Sequence, residues 1–340
     1  MIEIDGSYGE SGGQILRTSC AFSAVTGKAV KIINIRKGRP NPGLQAQHIA
    51  AIEALAQLSN AKVIGLKQGS AELIFEPCEI KGGKVEVNIP TAGSVSLVLQ
   101  GLMIAALYAK DTVNIHINGG ATNGKWAPPV LYIQNVLLPI LRKINYSADI
   151  KIEKYGYYPK GGAQVSMKIT PSKLKPLIIE EKGKLISIEG ISHASLHLKD
   201  KKVAERQNVS AAKTLAVLHK TNIQAGYFDT LNPGSALDCW AVYDNTILGA
   251  NALGELKKKA EDVGKEAAEE LIKQTNNGGA VDEHAEDQLL PYMALAGPSG
   301  TSVIKVGHLT KHTETNIWTI EQFLPVKFDI KDKTITCRSA

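Results

Sequence analysis

The feature that most constrains the fold is an internal repeat, because one order of predicted elements occurs four times along the chain. Each unit predicts a strand, a loop, a helix and then two strands, and the four units begin at residues 29, 112, 184 and 301. In the first unit, Ile49, Ile52, Leu55 and Leu58 follow the spacing of a helix with one buried face. The sequence therefore predicts an α/β fold of repeated strand–helix–strand–strand units, with helices packed on one face of each sheet.

The third unit differs from the other three and predicts a second domain. Units one, two and four have glycine or proline in the loop between strand and helix, whereas the third has a longer loop. It ends in a charged helix at 254–276, where opposite charges lie three and four residues apart. We therefore expect 183–280 to be an inserted, smaller α/β domain, and 1–182 with 281–340 to form a main catalytic domain of three units. A further helix is expected at 91–110.

Composition excludes several classes of protein. No apolar run reaches the roughly 18 residues that a membrane span needs, and the chain opens with a predicted strand rather than a signal peptide. We therefore expect a cytoplasmic protein without a membrane partner. The four cysteines lie far apart and form no C-x-x-C pair, which argues against a zinc site and a disulfide framework. The net charge of +6 permits a polyanionic partner without requiring one, and no feature sets an oligomeric state.

The stretch 119–125, GGATNGK, matches the first seven positions of a P-loop, but its continuation does not. Trp126 stands where Ser or Thr would hold magnesium, and two prolines follow shortly after, so that no helix starts directly behind the lysine. A turn between strand and helix is the better interpretation of this stretch.

Residues 5–20, DGSYGESGGQILRTSC, combine a glycine-rich turn with Glu10 and Arg17. Glycine lets a ligand approach the backbone closely, a carboxylate binds a divalent cation, and a guanidinium binds phosphate oxygens. Arg17, Arg36 and Arg39 all fall within the first forty residues, although lysine outnumbers arginine in the chain. These residues alone leave two interpretations open: a phosphate and cation site, or a turn before a helix with surface charges.

His308 and His312 lie four residues apart, which permits either a shared metal on one helix face or separate roles. Gly307 ends a predicted strand, and Thr313 or Thr315 is the expected N-cap of the next helix, so the two histidines are not expected to share a face. His312 then lies just before a helix N-terminus, where free N–H groups and the helix dipole favour anions. It could act as a nucleophile or phosphate ligand, or simply cap and pack.

Residues 281–297 place His284, Asp287 and Gln288 within one turn, directly before an apolar helix. This pattern is consistent with a polar site at the start of that helix. It is also typical of an acidic first turn that complements the helix dipole.

Taken together, six stretches resemble the RNA 3′-terminal phosphate cyclase family, in its catalytically active, archaeal-type branch. They are, in the family's order along the chain, 5–17, 36–48, 91–100, 156–162, 282–297 and 312–326. The resemblance implies a main domain of repeated α/β units with a smaller insert. It also implies the reaction, which is ATP-dependent conversion of an RNA 3′-phosphate to a 2′,3′-cyclic phosphodiester through a histidine that carries AMP.

The family's register, fixed by the sequences that follow residue 312, places the adenylated histidine at His312 and not at His308. The resemblance implies that Glu10 binds Mg²⁺ or Mn²⁺, and Asp287 is a second candidate beside the metal or the nucleophile. The implied contacts to ATP or AMP are Gln100, His284, Ala285, Glu286, Asp287 and Gln288. The implied contacts to phosphate or the RNA terminus are Arg17, Arg36, Arg39, Gln47 and His48. The implied partners are RNA 3′-phosphate ends and ATP.

Two rival functions are weaker. A non-catalytic relative would serve ribosome assembly through RNA and protein contacts, but that branch lacks the histidine, whereas His312, Glu10 and Arg17 are all present here. An enolpyruvyl transferase has sheets built from similar repeats, but it is expected to be longer and to lack the C-terminal histidine segment. One departure from the family pattern is His284, where some members have tyrosine, so that an aromatic ring is kept and a phenol donor is lost.

Overall fold

The computed structural model describes residues 1–340 and contains four four-stranded sheets, three of which share one topology. In each of these three, the first two strands pair in parallel and the remaining two are antiparallel to their neighbours. Among the helices, none combines the length and the apolar character that a bilayer crossing requires. The predicted α/β fold of repeated strand and helix units is confirmed.

The first two sheets are built from consecutive stretches of chain. The first has the strand order β1-β2-β4-β3. Its elements are β1 (Ile2–Asp5), α1 (Gly13–Thr26), β2 (Val30–Ile33), α2 (Ala46–Ser59), β3 (Lys62–Ile64) and β4 (Leu73–Glu76). The second has the order β5-β6-β8-β7. Its elements are β5 (Gly83–Ser94), α3 (Val95–Ala105), β6 (Val113–Ala121), α4 (Val130–Tyr132), a π-helical turn (Ile133–Leu137), α5 (Leu138–Lys143), β7 (Ser147–Lys154) and β8 (Gln164–Thr170).

The third sheet of this kind is interrupted in sequence. Its first strand is β9 (Ile178–Ile179), and its parallel partner follows more than one hundred residues later. The later elements are α8 (Glu283–Ala296), β14 (Ser302–Lys305), α9 (Lys311–Glu321), β15 (Val326–Lys331) and β16 (Thr334–Ser339), in the strand order β9-β14-β16-β15.

Between β9 and α8 lies a fourth sheet with a different strand order, β11-β10-β12-β13. Its elements are β10 (Leu185–Ser195), α6 (Val203–Leu215), β11 (Thr221–Phe228), β12 (Ser235–Tyr243), β13 (Ile247–Leu253) and α7 (Ala260–Asn276). The order strand–helix–strand–strand is the predicted one, but β11 here pairs in parallel with β10, whereas β3 does not pair with β2. This part has its own cluster of 13 buried apolar residues, beside a cluster of 73 that lies almost wholly in the other three sheets.

The true repeat is longer than the predicted one, because each unit begins with an additional strand and helix. The clearest omission is β5, whose buried Val85, Val87 and Ile89 alternate with exposed residues as in a strand with one covered face. It runs directly into α3 without a loop, and therefore no turn signal separates the two elements. In the third unit, β9 has only two residues, which are too few to show any alternation.

The helices of the three units meet at the centre of the molecule, and this positions the site. Helix α1 packs against α2, α3 and α9, and α8 packs against α3 and α9. All residues of α1 from Gln14 to Ala24 are buried. The N-terminus of α1 therefore lies where elements of the first, second and third units converge.

Candidate active site

The N-terminus of α1 is preceded by a glycine-rich turn and is open to a ligand. Its N-cap, Gly12, has no side chain, and no acidic residue lies in the first turn, so no side chain of the cap satisfies the first N–H groups. A Cβ on Gly13 would lie 2.4 Å from Nε2 of His48, so a larger residue there would force the His48 ring to shift. Gly9 has φ +56°, and a Cβ would lie 2.1 Å from Oγ1 of Thr315 on α9. These glycines bring the turn into close contact with two other helices.

His312 lies inside the first turn of α9, not before it. The helix begins at Lys311, and its N-cap is Thr310, whose hydroxyl accepts a hydrogen bond from the N–H of Thr313 at 3.1 Å. The expectation of a later N-cap was therefore wrong, because the hydroxyl of Thr313 is engaged by the buried Glu286 instead. His308 lies outside the helix, so the two histidines do not share a helix face, in agreement with the sequence argument.

The ring of His312 is held by the turn before α1. Its Nδ1 atom lies 2.7 Å from Oε2 of Glu10 and 3.2 Å from Oε1 of Gln14. Both oxygens are acceptors, so Nδ1 carries the proton, and Nε2 keeps a free lone pair. Gln14 also donates from Nε2 to Oδ2 of Asp287 at 2.6 Å. The imidazole is 53% exposed, and this arrangement presents an unprotonated nitrogen at an accessible surface.

Burial and the neighbouring arginines favour the neutral form of His312. Partial burial lowers the pKa of His312, and Arg39 and Arg17 lower it further, against the opposing effect of Glu10. The pKa of the Asp287 carboxyl is raised to about 7, mainly by burial and next by repulsion from Glu286, whereas the attraction of Arg17 opposes the rise. A neutral imidazole is the nucleophilic form, so the environment of His312 suits attack on an electrophile at neutral pH.

Arg17 extends from the same helix into the interior, where its Nε donates to Oε1 of Gln100 at 3.1 Å. Burial lowers the pKa of Arg17 to about 10, so the guanidinium stays charged at neutral pH. His48 lies beside it, with its Nδ1 accepting from the N–H of Gln45 at 3.1 Å, and burial lowers the pKa of His48 to about 3. The structure thus brings together Arg17, His48 and Gln100, although Arg17 and Gln100 lie 83 residues apart in sequence.

The other predicted phosphate contacts lie around the same helix end. Arg39 reaches Oε2 of Glu10 at 3.3 Å, and a Cβ on Gly12 would lie 3.1 Å from its guanidinium. Arg36 instead donates to the carbonyls of Asn41 and Gly43 within its own loop. Gln47 lies at the start of α2, against Gly93 near the end of β5. Arg39 is therefore placed at the mouth of α1, whereas Arg36 holds the loop that carries it.

The segment at the start of α8 divides between the site and the interior. His284 packs edge-to-face on Tyr132, with ring centroids 5.6 Å apart. Gln288 lines a cavity between α3 and α8 together with Gln100. Ala285 and Glu286 are buried, and Glu286 accepts hydrogen bonds from the N–H of Thr310 and the hydroxyl of Thr313, so that it ties α8 to α9. Direct contacts of these two residues with ATP stay a prediction, without support from their geometry.

Sequence reasoning missed two residues of this site. Gln14 links His312 to Asp287, and its position three residues before Arg17 places both on one face of α1, which was a usable signal. Tyr132 donates from its hydroxyl to Oδ1 of Asp282 at 2.6 Å and supports the ring of His284, and no sequence pattern connects these residues.

Comparison with known proteins gives this geometry its context. A family model described as RNA 3′-terminal phosphate cyclase matches residues 8–330. The chain belongs to the RNA 3′-terminal phosphate cyclase family. A protein of Pyrococcus furiosus named RNA 3′-terminal phosphate cyclase is 48% identical over 336 residues, covering 97% of this chain and 95% of its own. A protein of Methanosarcina acetivorans with the same name is 44% identical, with 98% of each chain covered.

The chain is an enzyme, since relatives named RNA 3′-terminal phosphate cyclase match it over nearly the whole length of both chains. A cyclase of Methanopyrus kandleri is 45% identical over 98% of this chain and 96% of its own. Among solved structures, the enolpyruvyl transferase NikO from Streptomyces tendae matches 100% of this chain and 48% of its own, with a TM-score of 0.41 and 8% identity. That likeness is too weak to support a conclusion about fold or function.

For a cyclase-family enzyme, the residues at the mouth of α1 can hold one divalent cation. No group of three or more His, Cys, Asp and Glu side chains forms a complete metal site. Glu10 uses Oε2 for His312 and Arg39, and its other carboxylate oxygen makes no hydrogen bond. Mg²⁺ is commonly bound through one or two carboxylates together with substrate phosphates and water, so a single free oxygen fits this ion.

Proposed function

We propose that this enzyme converts an RNA 3′-terminal phosphate to a 2′,3′-cyclic phosphodiester at the expense of ATP, and that His312 carries AMP between the two. The observation that carries the proposal is the pairing of Nδ1 of His312 with Glu10 at 2.7 Å, which leaves Nε2 free at the open N-terminus of α1. A nitrogen lone pair beside an anion site is the arrangement that attack on a phosphate ester requires.

In the first step, Nε2 of His312 attacks the α-phosphorus of ATP. The N–P bond forms as the bond to pyrophosphate breaks, and the ring gains positive charge, which the carboxylate of Glu10 at Nδ1 stabilises. Arg17, Arg39 and the N–H groups of α1 stabilise the charge on the phosphates. Gln100, Gln288 and His284 are the contacts to the nucleotide that the family resemblance implies. The cavity that Gln100 and Gln288 share has a volume of only about 10 Å³, so the nucleotide would contact these side chains from outside it.

In the second step, an oxygen of the RNA 3′-phosphate attacks the phosphorus of the adenylated His312, and the N–P bond breaks. In the third step, the neighbouring 2′-hydroxyl attacks the activated 3′-phosphorus, loses its proton, and AMP leaves. Arg39, with Gln47 beside the same opening, is the proposed contact to the RNA terminus. A divalent cation held by Glu10, Mg²⁺ or Mn²⁺, would supply charge neutralisation on the phosphates. Asp287, whose carboxyl accepts from Gln14, is the second candidate for that cation.

The rival proposal, a non-catalytic protein of ribosome assembly, is disfavoured by the same contacts. His312, Glu10, Gln14 and Arg17 are all present, and the first three form one hydrogen-bonded group. We further infer that 183–280 is an inserted domain, because it contains its own sheet and its own apolar cluster. A cytoplasmic location is consistent with four free cysteines, which a reducing compartment maintains.

Incubation with ATP labelled at the α-phosphate tests the proposal directly. The protein should acquire AMP through an acid-labile, alkali-stable bond in the presence of Mg²⁺ or Mn²⁺. His312→Ala should abolish labelling, whereas His308→Ala, the matched control, should retain most of it, because His308 lies outside α9 and has its ion-pair partner in Glu283 at 3.9 Å, away from Glu10 and Gln14. Loss of labelling in His308→Ala alone would overturn the assignment.

The later steps have a separate test. A 3′-phosphorylated oligoribonucleotide should be cyclised, and the same molecule with a terminal 2′-deoxyribose should not, because ring closure needs the 2′-hydroxyl. A cyclised deoxy product would refute the third step while leaving the adenylation of His312 intact.

A further inference from the structure

Five loops at one end of the fourth sheet form a surface with an unusual composition, which we call the lysine–aromatic surface. It comprises residues 124–126, 158–160, 196–202, 231–232 and 254–259. These loops contain eight lysines and two acidic residues, Asp200 and Glu255. They come from both the second sheet and the fourth, so the surface crosses the junction between the two.

Direct contacts join the loops into one surface. Lys125 pairs with Glu255 at 3.1 Å. The remaining connections are backbone or amide hydrogen bonds: Asn232 Nδ2 to the carbonyl of Tyr158 at 2.8 Å, the N–H of Ser195 to the carbonyl of Gly234 at 2.8 Å, and the N–H of Gly254 to the carbonyl of Ser235 at 2.8 Å. Lysines that are distant in sequence are thereby held on one side of the molecule.

A buried polar network fixes the fourth sheet against the second beneath this surface. The hydroxyl of Tyr157 lies 2.6 Å from Nδ1 of His193, and Nε2 of His193 lies 2.7 Å from Oδ2 of Asp238. Asn123 donates to the same carboxylate at 3.1 Å. The side chain of His193 is wholly inaccessible, so these contacts hold the two sheets in a fixed relation instead of acting on a ligand.

The exposed groups of the surface are those that bind a nucleic acid strand. Trp126 is 96% exposed and Tyr158 is 80% exposed, although large aromatic side chains are otherwise mostly buried here. Lys125 and Lys258 have carboxylate partners. The remaining six lysines have none within 4 Å: Lys160, Lys199, Lys201, Lys202, Lys257 and Lys259. Unpaired ammonium groups bind phosphates, and exposed aromatic rings stack with bases.

The surface is continuous with the candidate active site. A Cβ on Gly124 would lie 3.6 Å from the side chain of Ser94, and Gly93 beside it lies against Gln47 at the start of α2. Ser96 on the same helix as Gln100 donates to the carbonyl of Pro128, close behind Trp126. These contacts place the loop that carries Trp126 next to the end of β5, whose Gly93 in turn lies against Gln47.

We propose that the lysine–aromatic surface binds the single-stranded RNA immediately upstream of the 3′-phosphate. The inference rests on the proposed cyclase function and adds to it a binding track outside the catalytic centre. Lysines from loops of both sheets neutralise successive backbone phosphates, and Trp126 and Tyr158 stack with bases. Neither kind of contact distinguishes one base from another, so binding depends on strand length and not on sequence.

The test compares two 3′-phosphorylated substrates, a dinucleotide and a single-stranded RNA of about 20 nucleotides, which is longer than a typical site of this kind. The wild-type enzyme should have a KM at least tenfold lower for the long RNA. Lys160→Gln/Lys201→Gln/Lys257→Gln should raise the KM for the long RNA about tenfold and leave the dinucleotide within twofold. In a plot of log KM against log salt concentration for the long RNA, the slope of the triple variant should be smaller than that of the wild type by about 2, because three phosphate contacts are lost. Trp126→Ala should raise the same KM about tenfold.

A matched control is the triple variant Lys28→Gln/Lys81→Gln/Lys173→Gln. These lysines are exposed, form no ion pair, and lie near the opposite ends of the strands, after α1, before β5 and after β8. The control variant should behave as the wild type with both substrates. Each triple variant should also be combined with His312→Ala, which prevents the reaction. The affinity of these proteins for a fluorescent RNA should then fall in the first triple variant and stay unchanged in the control.

The outcomes separate the two levels of the proposal. If the wild type is labelled at His312 and cyclises both substrates with equal KM, the surface does not bind RNA and this inference fails alone. Equal losses in the two triple variants would also overturn it, because net charge and not this surface would then set the affinity. If the wild type is neither labelled nor active on either substrate, the proposed function fails, and this inference with it.

Discussion

Replacing Glu10 by glutamine tests how much of the adenylation step depends on one contact. The substitution keeps the size of the side chain and an oxygen acceptor, but removes the negative charge that lies 2.7 Å from Nδ1 of His312. A hydrogen bond to a charged group contributes about 1.5–3 kcal/mol. That contribution is greatest when the ring gains positive charge in the transition state, so we expect Glu10→Gln to slow adenylation about 10- to 150-fold.

The assay is a single-turnover measurement of AMP transfer from labelled ATP to the enzyme, with urea unfolding to verify that the variant is folded. Glu283→Gln is the matched control, because Glu283 lies 3.9 Å from the other histidine, His308, and should leave the rate within twofold. A wild-type rate in Glu10→Gln would refute the reasoning. A loss that disappears at high Mg²⁺ would assign Glu10 to the cation and not to the ring.

Three further variants test the packing around the site. Gly13→Ala should lower the free energy of unfolding by about 1–3 kcal/mol, because the new methyl group would lie 2.4 Å from His48. A rise in the thermal midpoint would mean that the higher helix propensity of alanine outweighs this clash. The pKa of Asp287 is raised to about 7, so the native state loses stability as pH rises from about 4 to about 7. Between pH 5 and pH 8 the wild type should lose about 2–4 kcal/mol of its free energy of unfolding, and Asp287→Asn should not. Urea titrations at the two pH values without metal measure this difference, and an equal loss in both proteins would contradict it. Thr313→Val should cost about 2–3 kcal/mol by leaving buried Glu286 without its hydroxyl donor at 2.6 Å, whereas Thr313→Ser should restore most of it in the same titrations.

The repeated fold could be predicted because its signals are local. Alternation in a strand and a buried stripe on a helix each need about ten residues, and α2 and β6 carry them clearly. The strand β9 could not be predicted in this way, since its two residues gain strand structure only by pairing with Val303 and Ile304. The pairing of β10 with β11 could not be predicted either, because the order of elements along the chain does not determine which strands become neighbours.

The site was predictable only in part, for a related reason. The motif before α1 left two interpretations open, a phosphate and cation site or a turn with surface charges. The structure places Glu10 beside His312 and buries Arg17 within the first turns of α1, so neither is an ordinary surface charge. The motif after β14 indicated a histidine near a helix N-terminus. Nothing in either motif indicates the other, and only the family resemblance joined them. The start of α9 was misplaced because three threonines in six residues, Thr310, Thr313 and Thr315, are all acceptable caps, and tertiary contacts with Glu286 decide among them.

The distance in sequence between the two halves of the site has a consequence for the time at which the enzyme becomes active. Gln14 and His312 are 298 residues apart, and the fourth sheet must be made between them. Helix α1 packs against α3 of the second unit and α9 of the last, and one apolar cluster runs through all three units, so the first unit cannot complete the site by itself. The histidine arrives with the last unit and docks against the turn before α1. A chain without its last unit lacks both His312 and the helix against which α1 packs, so we expect it to be inactive in adenylation until that unit has folded.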